Sequence, residues 1–233
     1  MRNPIEQGLL PNPESRERLI VDSIVPVDTN RERGLRAILA MFKDDVNRSH
    51  LEGITRNTTI FDLRDYYGQA GRHGFVALHQ GEGLVGVYDL SGPEVRRSRR
   101  GGQDVVLTLG LLNRMCVRTD LQARGIGDQL TKDALRRAHD EYGWLNVLAG
   151  IVLGEEITQA IQRTRGNPDE HRRETVFRDI FNGLKVSDAR VKLFAVRNGF
   201  QYSGFNPNVT VGGQVREVLL ISHPDPQLIG TGK

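Results

Sequence analysis

The stretch Met115-Cys116-Val117-Arg118-Thr119-Asp120-Leu121-Gln122-Ala123-Arg124-Gly125-Ile126-Gly127 holds the residue types and spacing most suited to chemistry. An apolar run enters a turn, the turn becomes glycine-rich, and a helix with Leu130, Ala134, Ala138 and Tyr142 on one face follows at once. N–H groups in the first turn of a helix lack partners within it, and the helix dipole adds partial positive charge, so such a turn is an anion site. Gly125 and Gly127 carry no side chain to keep a phosphate off the backbone. A Walker loop would need Gly-x4-Gly-Lys-Ser/Thr, which is absent, and a dinucleotide fingerprint would need a third glycine in register. The plain alternative is a glycine turn that only lets helix and strand pack closely.

Gln122-Ala123-Arg124-Gly125-Ile126-Gly127 satisfies Gln/Arg-x-x-Gly-x-Gly/Ala at every position, with Val117 five residues before Gln122. Farther on, Phe194-Ala195-Val196-Arg197-Asn198-Gly199-Phe200 closes a helix with Gly-Phe, and Tyr202 opens a new strand. In these segments the chain resembles the GNAT superfamily of acetyl-CoA-dependent N-acyltransferases, over residues 75–205 and more loosely beyond. The resemblance implies an α/β (α+β) fold, with a mixed, mostly antiparallel twisted sheet of six or seven strands flanked by helices. It implies direct transfer of an acetyl group from acetyl-CoA to a primary amine of a small molecule or protein. In that family the fourth strand splays from the fifth and the pantetheine arm lies in the gap. Met115, Cys116 and Val117 would then line the arm, with main-chain hydrogen bonds from Met115 and Val117. The loop from Gln122 through Ala123, Arg124, Gly125, Ile126 and Gly127 to Asp128 would hold the pyrophosphate.

The chain departs from the family where catalysis is concerned. The helix tyrosine that protonates the departing thiolate falls at Ala195, the asparagine at that helix's start falls at Asp188, and a strand carboxylate falls at Asn113. An amide orients water but is no base. Tyr202 and Glu155, with Glu156 beside it, are the candidate substitutes. Each has a plainer reading, a half-buried strand tyrosine and the acidic first turn of a helix. Cys116, inside an apolar strand, reads as core rather than acyl carrier. These departures leave a second function open, an acyl-CoA-binding sensor or interaction module that no longer transfers.

The elements that must position these residues follow from periodicity. Strands are expected at 19–27, 74–78, 84–90, 105–117, 144–152, 201–205 and 217–222, with a hairpin turn at 80–83. Leu35, Ile38, Leu39, Phe42 and Val46 mark a helix capped by Thr29 or Asn30, and a short helix is expected at 62–69. Residues 154–186 carry two apolar stripes broken by Gly166-Asn167-Pro168 and read as an inserted helical hairpin. Ser187 is the expected cap of the next helix, and Gly199 its stop. Residues 1–18 read as an extended or disordered arm, 19–225 as one domain, and 226–233 as a tail.

Composition sets the outer bounds. With 38% apolar and 26% charged residues the chain is an ordinary globular one, and no apolar run reaches the roughly 18 residues of a membrane span. A net charge of +3 is small for a nucleic-acid partner, and the one dense basic stretch, Arg96-Arg97-Ser98-Arg99-Arg100, reads as a solvated loop or as a patch for a phosphorylated ligand or acidic partner. The single cysteine permits no intrachain disulfide, and with no signal peptide evident the expected location is the cytoplasm. The six histidines show no metal-ligand spacing, so no metal is expected. A homodimer is common in the family, and no feature of the sequence decides it.

Overall fold

Seven segments rich in β-branched and apolar residues become the seven strands of one sheet. The computed structural model describes residues 17–48, 51, 54–100, 103–211 and 214–224, with side chains left out at 95–107 and 208–215. Most of the expected arm and all of the tail therefore lie outside the described residues.

The strands are β1 Ser23–Pro26, β2 Arg72–His79, β3 Gly83–Arg100, β4 Gln103–Val117, β5 Asn146–Val152, β6 Gln201–Val211 and β7 Gln214–Pro224. Their order across the sheet is β1-β2-β3-β4-β5-β7-β6. Every neighbouring pair is antiparallel except β4 and β5, which run parallel. The long basic stretch is not a loop. Its backbone continues β3 to Arg100, paired with β4 as far as Gln103, because a two-stranded ladder can carry charged residues on a solvated face. Its side chains lie outside the description.

One face of the sheet is covered by α1 Glu32–Lys43 and α3 Ile60–Gly68, with the short α2 Asp45–Arg48 between them. Leu35, Ile38, Phe42, Leu63 and Tyr67 pack there against Val87 and Cys116. The other face is covered by α4 Ile126–Arg136, α6 Glu170–Ser187 and α7 Ala189–Val191. Leu130, Ala134, Phe181 and Val191 join Phe75, Tyr88 and Ile221 in that second cluster. Val87 and Tyr88 thus face opposite ways, as the two-residue period of a strand requires.

Local chemistry explains most helix ends. Thr59 and Asp62 form a capping box at the start of α3. Two helices, α5 Glu155–Arg165 and α6, occupy the stretch 154–186. Two expected caps are replaced. Arg31, without a side-chain cap bond, precedes α1. Asp188 rather than Ser187 caps α7, accepting from the N–H groups of Arg190 at 2.8 Å and Val191 at 3.3 Å. The shorter, doubly accepting carboxylate suits the cap, while Ser187 ends α6 and bonds back to the Gly183 carbonyl. A π-helical stretch, 192–197, continues α7 to Gly199, whose φ of 71° provides the expected stop.

Candidate acyl-transfer site

Among the described residues the one parallel pair of strands is short. Leu109, Gly110, Leu111 and Leu112 of β4 pair with Asn146, Val147, Leu148 and Ala149 of β5, and the pairing stops there. On the β3 side, Leu112 faces Leu90 while Arg114 faces Asp89, so Asn113 is an extra, bulged residue. From Arg114 onward β4 keeps β3 as its only partner. Antiparallel residues alternate between exchanging hydrogen bonds with the partner strand and turning those groups away. Arg118 N–H donates to the Val85 carbonyl at 3.0 Å, which fixes the phase. Cys116 and Arg114 face β3. Met115 and Val117 turn their backbone groups toward the side that β5 has left. The Val117 carbonyl accepts from Asn47 Nδ2 at 3.2 Å and Gln122 Nε2 at 3.4 Å. The Cys116 side chain points the other way, into the α1–α3 cluster, and burial pushes its thiol pKa well up.

The gap ends at the glycine loop. A 3-10 turn over Thr119–Leu121 leads to Ala123 and Gly125, with φ of 64° and 79°. Gly125 is the N-cap of α4 and tolerates that angle; Ala123 holds it at a cost of order 1 kcal/mol. The chain ahead of β1 lies across this loop. Leu19 N–H donates to the Arg124 carbonyl at 3.0 Å, Gln129 Nε2 donates to the Leu19 carbonyl at 2.7 Å, and Val21 N–H donates to Gln129 Oε1 at 3.0 Å. Arg124 Nε donates to the Glu17 carbonyl at 3.1 Å. The expected strand 19–27 is accordingly reduced to Ser23–Pro26. Arg18, held between these contacts, sits over Gly125, with its Cγ and Nε 3.2 and 3.3 Å from where a Cβ on that glycine would be. Its guanidinium is 3.9 Å from Asp128. Burial opposes ionisation of Asp128, but hydrogen bonds from Lys132 and Asn198 and the nearby cations outweigh it, and its pKa is lowered. A free strand edge, a glycine turn opening a helix, and a cation above that turn fit a diphosphate carrying an extended amide arm.

At the apex of the gap the structure assembles a group that the sequence did not reveal. Asp89 of β3 is fully buried and accepts a hydrogen bond from Tyr66 Oη of α3 at 2.9 Å. Arg72 Nη1 donates to the same Tyr66 oxygen at 3.0 Å. The Arg114 guanidinium lies 4.0 Å from the centre of the Tyr66 ring. Burial pushes the Asp89 carboxyl up to about 6, against the opposing pull of Arg114, Tyr66, Asn113 and Arg72. Asp89 Oδ2 and Arg114 Nη1 are buried without a hydrogen-bond partner. The bulged Asn113 donates to Ser91 Oγ at 2.7 Å. An aspartate inside the apolar segment Val85-Gly86-Val87-Tyr88-Asp89-Leu90 was the one signal available in the sequence.

The remaining candidates stand apart. Tyr202 lies on β6, separated from β5 by β7, and packs between Phe181 and Phe205 at 5.4 and 5.5 Å. Burial pushes its hydroxyl up to about 12. Glu155 is exposed at the start of α5, bonded by Gln159 and 3.9 Å from Arg216. Asp188 is occupied as a cap and by an ion pair with Arg190 at 2.7 Å. Met115, Val117, Asn113 and the loop 122–128 are therefore brought together, while Tyr202, Glu155 and Asp188 are placed by packing, solvent and capping. Among the described residues, no three His, Cys, Asp or Glu gather as a metal site, and no helix is long and apolar enough to cross a membrane.

No protein-family model matches the chain, and no curated protein sequence does. Solved structures match along nearly all of it. Spermidine N-acetyltransferase from Vibrio cholerae, in complex with CoA and spermine, covers 89% of this chain and 98% of its own at 12% identity, with a TM-score of 0.58. An acetyltransferase of the GNAT family from Streptococcus pneumoniae covers 87% of this chain and 98% of its own at 14% identity, with a TM-score of 0.53. The seven-stranded mixed sheet, parted between β4 and β5, has the fold of the GNAT N-acetyltransferases.

Proposed function

We propose that this protein is an N-acetyltransferase that moves an acetyl group from acetyl-CoA to a primary amine. The observation that carries this reading is the parting of β4 from β5 after Leu112, which leaves the Met115 and Val117 backbone edge leading to the glycine loop. CoA and a polyamine bound together in the Vibrio cholerae neighbour support the two substrate classes. The acyl donor supplies an activated thioester carbonyl.

The chain's own groups supply the rest. N–H groups of Met115 and Val117 extend a strand-like ladder to the amide arm and orient the thioester. N–H groups from Ala123 to Asp128, with the Arg18 cation above them, hold the diphosphate. The inserted hairpin α5–α6 follows β5 directly and is the candidate specificity element. A sensor that binds acyl-CoA without transfer is favoured by one observation: Ala195 offers no proton where the fold's helix tyrosine would.

Calorimetric titration with acetyl-CoA, followed by thiol release across a panel of amines, tests both. Micromolar binding with amine-dependent thiol release supports the transferase. Binding with no release leaves the sensor, and no binding by folded protein removes both.

A further inference from the structure

Beside β4, between the 54–58 segment and α3, is a cavity of about 460 Å³ lined by Thr55, Thr58, Asp62, Tyr66, Gln69 and Arg114. Tyr66 lines this cavity and also reaches the buried carboxylate behind it. Resting on the transferase reading, we propose that the amine acceptor enters through this cavity and that Tyr66 and Asp89 carry away its proton.

The hydrogen-bond directions support such a relay. Arg72 can only donate, so Tyr66 Oη accepts from it and directs its own proton to Asp89 Oδ1. The second lone pair of the hydroxyl remains for an amine N–H in the cavity. As the amine nitrogen bonds to the acyl carbon, the C–S bond breaks and the thiolate leaves. The nitrogen's proton passes to Tyr66 Oη while the tyrosine proton passes to Asp89 Oδ1. The proton then returns through Tyr66 to water in the cavity, and solvent protonates the thiolate. Arg114 above the tyrosine ring stabilises negative charge on the phenol oxygen during the exchange.

The placement also answers for Asn113. That amide marks the apex of the gap and belongs to the same hydrogen-bonded group as Ser91 and Asp89. A carboxylate missing from β4 is thus present on β3, one ladder rung away. The groups facing Asp89 are Tyr66 and Tyr67 from α3, Arg72 from β2, and Asn113, Arg114 and Cys116 from β4. Two of them are fixed cations, and the rest are neutral near pH 6. The acceptor amine deprotonates well above that pH, so a limb near pH 6 belongs to Asp89 and the higher one to the amine. Tyr66 is the catalytic residue of the relay and Asp89 its positioning partner.

The test uses the full chain with D89N and Y66F, assayed with spermine, free lysine and a peptide bearing a free amino terminus. In both Y66F and D89N kcat should fall about 100-fold. CoA affinity should be unchanged in both, since neither residue touches the glycine loop. Below the amine's own pKa, log kcat/KM for the wild type should climb with unit slope and steepen to two below pH of about 6, and D89N should lose that steepening. Carbon NMR titration of the Asp89 carboxyl gives a readout independent of turnover: Y66F should raise its pKa by removing a donor to the ionised form. Variants retaining kcat within about threefold, with the acid limb intact, would overturn the relay alone. A wild type that binds CoA but acetylates none of the amines would overturn the transferase reading and the relay with it. An Asp89 titration unmoved in Y66F would remove the hydrogen bond on which the relay depends.

Discussion

The two ends of the β4–β5 pair behave in opposite ways. At one end the strands are sealed: Trp144 lies across Gly110, so that a Cβ there would stand 1.7 Å from the indole Cε3. Leu145 N–H adds a bond to the Thr108 carbonyl at 3.1 Å on the same side. At the other end the β4–β5 pairing ends at Leu112, and Met115 and Val117 turn backbone groups into the gap. A glycine that admits a ring closes one end, and a bulged residue lets the other open. Packing is tight where the indole lies, and the ladder is given up where the proposed binding edge begins.

Breaking the sealed end should have the largest effect. Gly110→Ala forces the methyl into the indole and should cost about 3 kcal/mol or more, read as a lower denaturant midpoint. Breaking the open end should remove binding and spare stability. Gly125→Glu should weaken acetyl-CoA by about 100-fold or more, by placing a carboxylate at the proposed anion site beside Arg18. Gly125→Ala, which adds the strain of a positive φ and a close contact with the Arg18 side chain, should stay within about tenfold.

How far these regions were legible in the sequence differs for physical reasons. The glycine loop was readable because strand, turn and helix start are contiguous, and each residue type has a local cause. The helices at 155–165 and 170–187 and the stop at Gly199 were readable for the same reason. Asp89, Tyr66 and Arg114 were not, because α3, β3 and β4 meet only through packing, and no local period links a helix tyrosine to a strand aspartate. Arg18 escaped notice likewise: its place depends on Leu19 and Gln129, which are 110 positions apart. The basic run at 96–100 misled in the opposite sense, since charge suggested loop where the backbone pairs as strand.

Two smaller effects sharpen the contrast. The rise of the Asp89 pKa from the ordinary 3.8 to about 6 means that the folded protein keeps this proton longer than the unfolded chain. Wild-type stability should therefore fall, relative to D89N, as pH climbs from about 4 to about 6, by up to about 3 kcal/mol. Thermal melts of the two proteins across that window read the difference directly. The smallest effect is expected at Arg18, which is 65% exposed. Arg18→Ala should weaken CoA about five- to tenfold, most clearly at low salt, and leave phosphate-free acetyl-pantetheine unaffected.

The central claim is that the open edge of β4 binds the amide arm of CoA, and amide hydrogen exchange followed by NMR tests it most directly. Addition of saturating CoA should slow exchange at Met115 and Val117, which face the gap, and leave Cys116, already bonded to β3, little changed. Binding of CoA with no added protection at Met115 and Val117 would contradict the account.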